Sequence, residues 1–153
     1  MVNEDLDRPF AGRFVGAEHR FAVRVYFEDT DLTGIVYHAN YLRFMERARS
    51  DMLRAAGIDQ RTAHESGEGA YAVADLAIRY RRPARLDDAL QVRSRVAQVR
   101  AAACLIHQTV IRDDEVLAEA DVTAAFLDPR GRPRRQPRDW VDIFEKLRGN
   151  DTA

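Results

Sequence analysis

Hydrophobic and polar positions follow two periods along this chain. Phe21, Val23, Val25 and Phe27 alternate with Ala22, Arg24, Tyr26 and Glu28, a period of two that predicts a strand. The run Asp29-Thr30-Asp31-Leu32-Thr33-Gly34 interrupts it with turn-forming residues. From about Ala39 to Ala56 the pattern changes. Tyr41, Phe44, Met45, Ala48, Met52, Ala55 and Ala56 recur at helical spacing and make one apolar stripe, flanked by Arg43, Glu46, Arg47 and Arg54. Gly57 stands where a left-handed residue would end that helix. Residues 59–69 read as a polar connection with one helical turn. Period two then returns in Ala70–Tyr80, Leu90–Val96, Ala103–Ile111 and Val116–Leu127, with Asp113-Asp114 as a tight turn between the last two. Pro129, Gly131, Pro133 and Pro137 close the strand-rich part, and Trp140–Leu147 predicts a last short helix.

One strand, one long helix and four more strands imply an α+β layer: an antiparallel sheet of five strands with a helix against one face. Residues 1–19 read as a mobile arm, 20–135 as one folded body and 136–153 as a C-terminal tail. A single helix covers one sheet face only and leaves edge strands open, so self-association is expected.

Composition narrows the functional classes. The 153 residues suit one domain, with 46% hydrophobic and 32% charged positions. The 24 basic and 25 acidic residues give a net charge of −1, which argues against binding nucleic acid through phosphate neutralisation. Cys104 is the only cysteine, so neither a disulfide framework nor a Cys-rich zinc site can form. His19, His64 and His107 lack metal-ligand spacing, and no metal is expected. No secretory signal or membrane-length apolar run is visible, which implies a cytoplasmic protein.

Chemistry concentrates in Phe27–Tyr41. Two carboxylates, Asp29 and Asp31, precede Gly34, a Tyr37-His38 pair and the start of the long helix. The first amides of a helix have no internal partners, and the helix dipole lies behind them. They can hold an oxyanion that develops on a carbonyl while a loop carboxylate works at the carbon.

This stretch, Asp-x-x-Gly-Ile-Val-Tyr-His-Ala-Asn-Tyr in spelling, continues through Tyr41-Leu42-Arg43-Phe44-Met45-Glu46-Arg47-Ala48-Arg49. It resembles the hotdog-fold acyl-CoA thioesterases, and within them the 4-hydroxybenzoyl-CoA thioesterase group and its Tol–Pal-associated branch. The resemblance extends over Tyr80–Asp88 and the late strands to about Arg135. It implies a long central helix wrapped by a curved five-stranded antiparallel sheet, with active sites at a dimer interface in a dimer or tetramer. It puts the catalytic carboxylate on Asp31, as nucleophile or general base, and the carbonyl-polarising amide on His38. The implied reaction is hydrolysis of an acyl-CoA to acid and thiol without a cofactor. A thioester suits this sparse equipment, because sulfur donates poorly to the carbonyl and leaves well. No Gly-x-Ser-x-Gly elbow offers a serine alternative.

Each residue has a plainer role to compete with. An Asp before a turn ordinarily caps it. The His38 side chain is either a leaving-group acid or a local hydrogen bond. Tyr37 and Asn40 either line the pocket or fix the helix start, and Glu46 is expected to pair with a neighbouring Arg. For coenzyme A phosphates, Arg100 stands where the benzoyl-CoA enzymes carry a basic cluster, with Arg81, Arg82, Arg85 and the Arg-rich tail as further candidates. One charge in Val99-Arg100-Ala101-Ala102 leaves room for an acyl carrier protein thioester. Two other functions stay open from sequence: an enoyl thioester hydratase or dehydratase of the same fold, and an acyl-thioester-binding module without catalysis.

Overall fold

A computed structural model describes residues 4–149; the extreme ends of the arm and tail, 1–3 and 150–153, lie outside the described residues. A single helical turn at Glu4–Asp7 leads into strands β1 (Arg13–Val15) and β2 (Glu18–Arg24). The long helix α1 (His38–Ala55) and the short α2 (Gln60–Glu65) follow. Then come β3 (Ala70–Tyr80), β4 (Ala89–Val99), β5 (Ala103–Arg112) and β6 (Glu115–Leu127), and α3 (Arg138–Gly149) ends the described chain. The strands form one antiparallel sheet in the order β1-β2-β4-β5-β6-β3. Among the described residues, no helix is long and apolar enough to cross a membrane.

The α+β hotdog architecture is as the sequence implies, with two corrections. The sheet has six strands rather than five, because part of the expected arm, Arg13–Val15, folds back on Glu18–Arg20. The second strand also stops at Arg24, short of Phe27. There the Asp29 carboxylate accepts the Tyr26 N–H at 2.8 Å, and the Thr30 hydroxyl donates to the Phe27 carbonyl at 2.8 Å. Local side-chain bonds have replaced ladder bonds, as Asx and Thr side chains readily do.

The apolar stripe of α1 becomes the centre of the core. Tyr41, Phe44, Met45, Ala48 and Met52 are buried, facing sheet positions that include Val92, Val110, Ala118, Ala120 and Val122. The alanines let the helix approach while Phe44 and Met45 fill the space between, each contributing about 2–3 kcal/mol by burial. Ladder irregularities at Val73/Asp75, Val96/Gln98 and Val110/Ile111 add local bend and twist, which suits a sheet curled around a rod. A second cluster joins the C-terminal end of α1 to α3, where Trp140 stacks on Tyr71 at 5.9 Å and Phe144 is buried.

Candidate active site

The loop before α1 is built to stand still. The Thr33 backbone N–H and hydroxyl both donate to Asp31 Oδ1, at 2.8 and 2.6 Å. The Gly34 N–H closes the turn onto the Asp31 carbonyl at 3.0 Å, with Gly34 at φ +83° where a side chain would be strained. The Asp31 N–H donates to the Ile35 carbonyl at 2.9 Å, and Thr30 bridges Val36. The plainer role of an Asp before a turn is therefore real here, and it engages one oxygen. Among the described residues, Oδ2 accepts no hydrogen bond. The Thr33 side-chain bond, then the Thr33 amide, hold this exposed carboxyl below the ordinary aspartate value. Asp31 is thus ionised at neutral pH.

The helix start is fixed by the same economy. The Tyr37 N–H donates to the Asp29 carbonyl at 2.9 Å, and Asn40 Nδ2 donates to that carbonyl at 2.9 Å. The Tyr80 hydroxyl donates to the His38 carbonyl at 2.9 Å, tying the first turn to the end of β3. Behind the loop, the Ala84 N–H donates to the Tyr41 hydroxyl at 3.0 Å, and the Val36 N–H donates to the Ala84 carbonyl at 2.8 Å. Tyr37 precedes the first helical residue and caps no amide with its side chain. The His38 and Ala39 amides accordingly keep no acceptor among the described residues, as expected at a helix N-terminus.

These pieces border one open cleft of about 310 Å³, lined by Asp31, Ile35, Val36, His38, Tyr41, Tyr80, Arg81, Arg82 and Pro83. A fixed anion, a helix dipole with its positive end outward and two rim guanidiniums share it. Of the residues singled out in the sequence, the structure brings Asp31 and His38 together there. Asn40 is spent on bracing the loop. Tyr37 is 46% exposed, packs its ring against His38 at 4.5 Å and does not line the cleft. Arg100 lies in the β4–β5 turn, at the far end of β4 from the Arg85–Asp88 corner beside this site. Glu46, expected to pair with a neighbouring Arg, interacts electrostatically with Arg49 one turn on without a salt-bridge contact among the described residues, and it borders a separate cavity. Sequence reading missed Thr33, Tyr41 and Tyr80 as the residues that hold the site. A Tyr on the apolar stripe of the helix and another at the end of a strand were the available signals.

Comparison with known proteins adds an independent line. The thioesterase-like superfamily matches residues 25–144. The acyl-CoA thioesterase YbgC of Haemophilus influenzae is 41% identical over 129 residues, covering 84% of this chain and 95% of that protein. The acyl-CoA thioester hydrolase YbgC of Escherichia coli O6:H1 is 37% identical, over 83% of this chain and 96% of that protein. In structure, a probable thioesterase from Bartonella henselae superposes with a TM-score of 0.74 at 36% identity, covering 78% of this chain and 99% of that one. The cleft, the long helix and the relatives agree: the chain belongs to the thioesterase-like superfamily of the hotdog fold.

Proposed function

We propose that this chain, an acyl-CoA thioester hydrolase, works through Asp31 and the N-terminus of α1. The observation that carries the assignment is the single cleft shared by an ionised Asp31 and the unpartnered first turn at His38. The thioester oxygen points at the His38 amide, where the helix dipole and N–H stabilise the charge that develops on it. Asp31 either adds to the carbonyl carbon, giving an acyl-enzyme anhydride that water then opens, or takes a proton from a water that adds directly. In both routes the C–S bond breaks and the thiolate leaves and is protonated. The oxygen of water enters the acid directly, or, where water opens the anhydride at the Asp31 carboxyl carbon, it enters Asp31 while an original Asp31 oxygen leaves in the acid. A single turnover in ¹⁸O-water separates them, since only the anhydride route can leave label in Asp31.

Arg81 and Arg82 at the rim supply cations for the phosphates of coenzyme A, a place Arg100 does not occupy within one chain. Self-association through β3 is supported by that strand's position. It pairs with β6 on one side, its other edge carries no strand among the described residues, and Val73 is 49% exposed. A homodimer joined there would bring a second chain to the cleft and the adjoining groove. A carrier-protein thioester would use the same chemistry with the nucleotide contacts idle. A reducing, cytoplasmic setting suits the single buried thiol of Cys104.

The test is thiol release with acyl-CoA substrates by the wild-type chain, Asp31→Asn and His38→Pro. Asp31→Asn is expected to lose roughly 10²–10⁴-fold in kcat. Proline is tolerated at the first helical position, and Tyr37 at ψ 132° already has the backbone that precedes a proline. His38→Pro therefore deletes the amide donor and keeps the helix, with a loss of about 10²–10³-fold expected. Wild-type rates in either folded variant would remove that group from the mechanism.

A further inference from the structure

On the buried side of α1, Asp51 is paired with His19, whereas Arg49 contacts no carboxylate among the described residues and is met only electrostatically, by the exposed Glu46 one turn back. Arg49 is 9% exposed. Its Nη1 donates to Gln108 Oε1 at 3.0 Å, while Gln108 Nε2 donates to the Met45 carbonyl at 3.0 Å and to Ser94 Oγ at 2.9 Å. That network uses one corner of the guanidinium and fixes its plane. The remaining donors of the fork have no protein acceptor among the described residues. Burial also pulls the Arg49 pKa down from its usual value, against the opposing pull of the Glu46 carboxylate. Among the described residues no Arg49 nitrogen is both sealed from solvent and unpartnered, so the remaining donors are open to an anion in the cavity beside them.

Arg49 forms a wall of a cavity of about 160 Å³ between α1 and β3, together with Ser50, Leu53, Val73, Ile106 and Phe144. A cavity near 150 Å³ holds a benzene ring, so this space suits one ring or a short chain end. Through Gln108 the guanidinium is held level with Met45, about two helical turns, or roughly 10 Å, from His38 along the axis. His38, Leu42, Glu46 and Ser50 are spaced four apart and form one ridge leading from the catalytic cleft to the cavity.

We propose that the cavity receives the distal end of the acyl group and that Arg49 reads a carboxylate there, so the preferred substrates are medium-length thioesters of dicarboxylic acids. The inference rests on the thioester-hydrolase reading and on the carbonyl sitting at His38. A bidentate carboxylate would fill the free side of the guanidinium fork while the methylenes lie against Leu53, Val73 and Ile106. Glu46 borders the same cavity and opposes a second anion there. It is exposed and one turn from Arg49, so its repulsion is screened by solvent.

The experiment compares adipoyl-CoA with hexanoyl-CoA, and suberoyl-CoA with octanoyl-CoA, in the wild-type chain, Arg49→Met and Glu46→Gln. The wild-type kcat/KM should favour the carboxylated member by tenfold or more. Arg49→Met should reverse that ratio, and Glu46→Gln should raise it. Because Arg49→Met strands Gln108 and can unfold the chain, inhibition by the free acids is measured on wild-type protein as well. Adipate should inhibit competitively at concentrations at least tenfold below hexanoate. A wild-type preference for the methyl-ended thioesters overturns the proposal. So does a ratio that Arg49→Met and Glu46→Gln leave unchanged, or adipate no better than hexanoate, the result expected if a second chain covers Arg49. If neither thioester is hydrolysed, the hydrolase reading fails instead, and calorimetry with adipate and hexanoate still decides whether Arg49 binds a carboxylate.

Discussion

Two aspartate–histidine pairs border α1, and they differ in every property that matters for chemistry. Asp31 and His38 lie at its N-terminus, both exposed, sharing a cleft without a hydrogen bond between their side chains. Asp51 and His19 lie on its buried side, with Nε2 and Oδ2 2.7 Å apart and His19 fully buried. By hydrogen-bond length alone the second pair looks like an acid–base dyad. It is taken up by structural contacts: Asp51 Oδ2 also accepts the Gly12 N–H at 2.9 Å, and the Phe14 ring packs on His19 at 5.3 Å. The buried pair fastens the β1–β2 hairpin to the helix, and the exposed pair leaves its reactive atoms unspent. A short bond marks a structural clasp here, and the lack of one leaves Asp31 and the first turn of α1 free for the role proposed for them.

Removing the clasp should give the largest effect on stability. Asp51→Ala leaves the Gly12 amide and the His19 ring without an acceptor in the interior, and His19 Nδ1 already lacks a partner. A loss of about 3 kcal/mol is expected, which lowers the Tm by roughly 6–12 °C. Urea unfolding would read the first figure and calorimetry the second. Activity per folded molecule should stay within about twofold of wild type. Asp31→Ala should do the reverse, with a stability loss of only about 1 kcal/mol from the lost Thr33 cap and turnover largely gone. A variant in which both properties fall together would erase the distinction between the pairs.

The pairs also part in their response to pH. Burial lowers the His19 pKa from its ordinary 6.5, against the opposing pull of Asp51. The folded state therefore binds fewer protons at this site than the unfolded state. The corresponding stability is present above pH 6.5 and is lost as pH falls below it. Asp31 is also depressed, from 3.8, so the carboxylate that the proposed mechanism uses persists until the pH drops below that value. Between about pH 7 and pH 5, unfolding free energy should decline while kcat/KM per folded molecule does not follow Asp31. His19→Gln should flatten the first curve. An activity limb that tracks the stability curve in folded enzyme would mean the buried pair takes part in turnover.

The contrast explains how much could be read without coordinates. The helical stripe from Tyr41 to Met52 and the alternation in the late strands fixed the layers, because burial on one face is written directly into spacing. Asp31 and His38 were legible because the site is local, one loop and one helix start. The β1 strand was not: three residues of weak alternation become a strand only when Gly16 and Ala17 turn them onto β2. At Gly12 a side chain would run into the Arg20 carbonyl, a constraint invisible without the fold. His19 and Asp51 are likewise joined only by the sheet wrapping the helix. Arg49 did leave a trace, since it interrupts the apolar face one turn after Met45 and one turn before Met52. Reading that interruption as a buried charge needs the cavity beside it.

The smallest effect separates the backbone of His38 from its ring. If the carbonyl is held by the amide, His38→Ala keeps the donor, improves helix propensity at an exposed position and removes only an imidazole. The ring contacts it loses are those with Tyr37 and Tyr80, at 4.5 and 6.3 Å, and the Tyr80 hydroxyl still reaches the residue 38 carbonyl. A fall in kcat/KM of less than about tenfold, under roughly 1.4 kcal/mol of transition-state stabilisation, is therefore expected. An imidazole acting as proton donor to the leaving thiolate would instead cost about 10²–10⁴-fold and abolish the basic limb of the pH–rate profile. That loss would make Asp31 and His38 a working acid–base pair after all, joined by substrate rather than by a hydrogen bond. A thiolate leaves readily without a proton, so the ring has little to contribute at that step, and the backbone amide accounts for the arrangement of the loop around it.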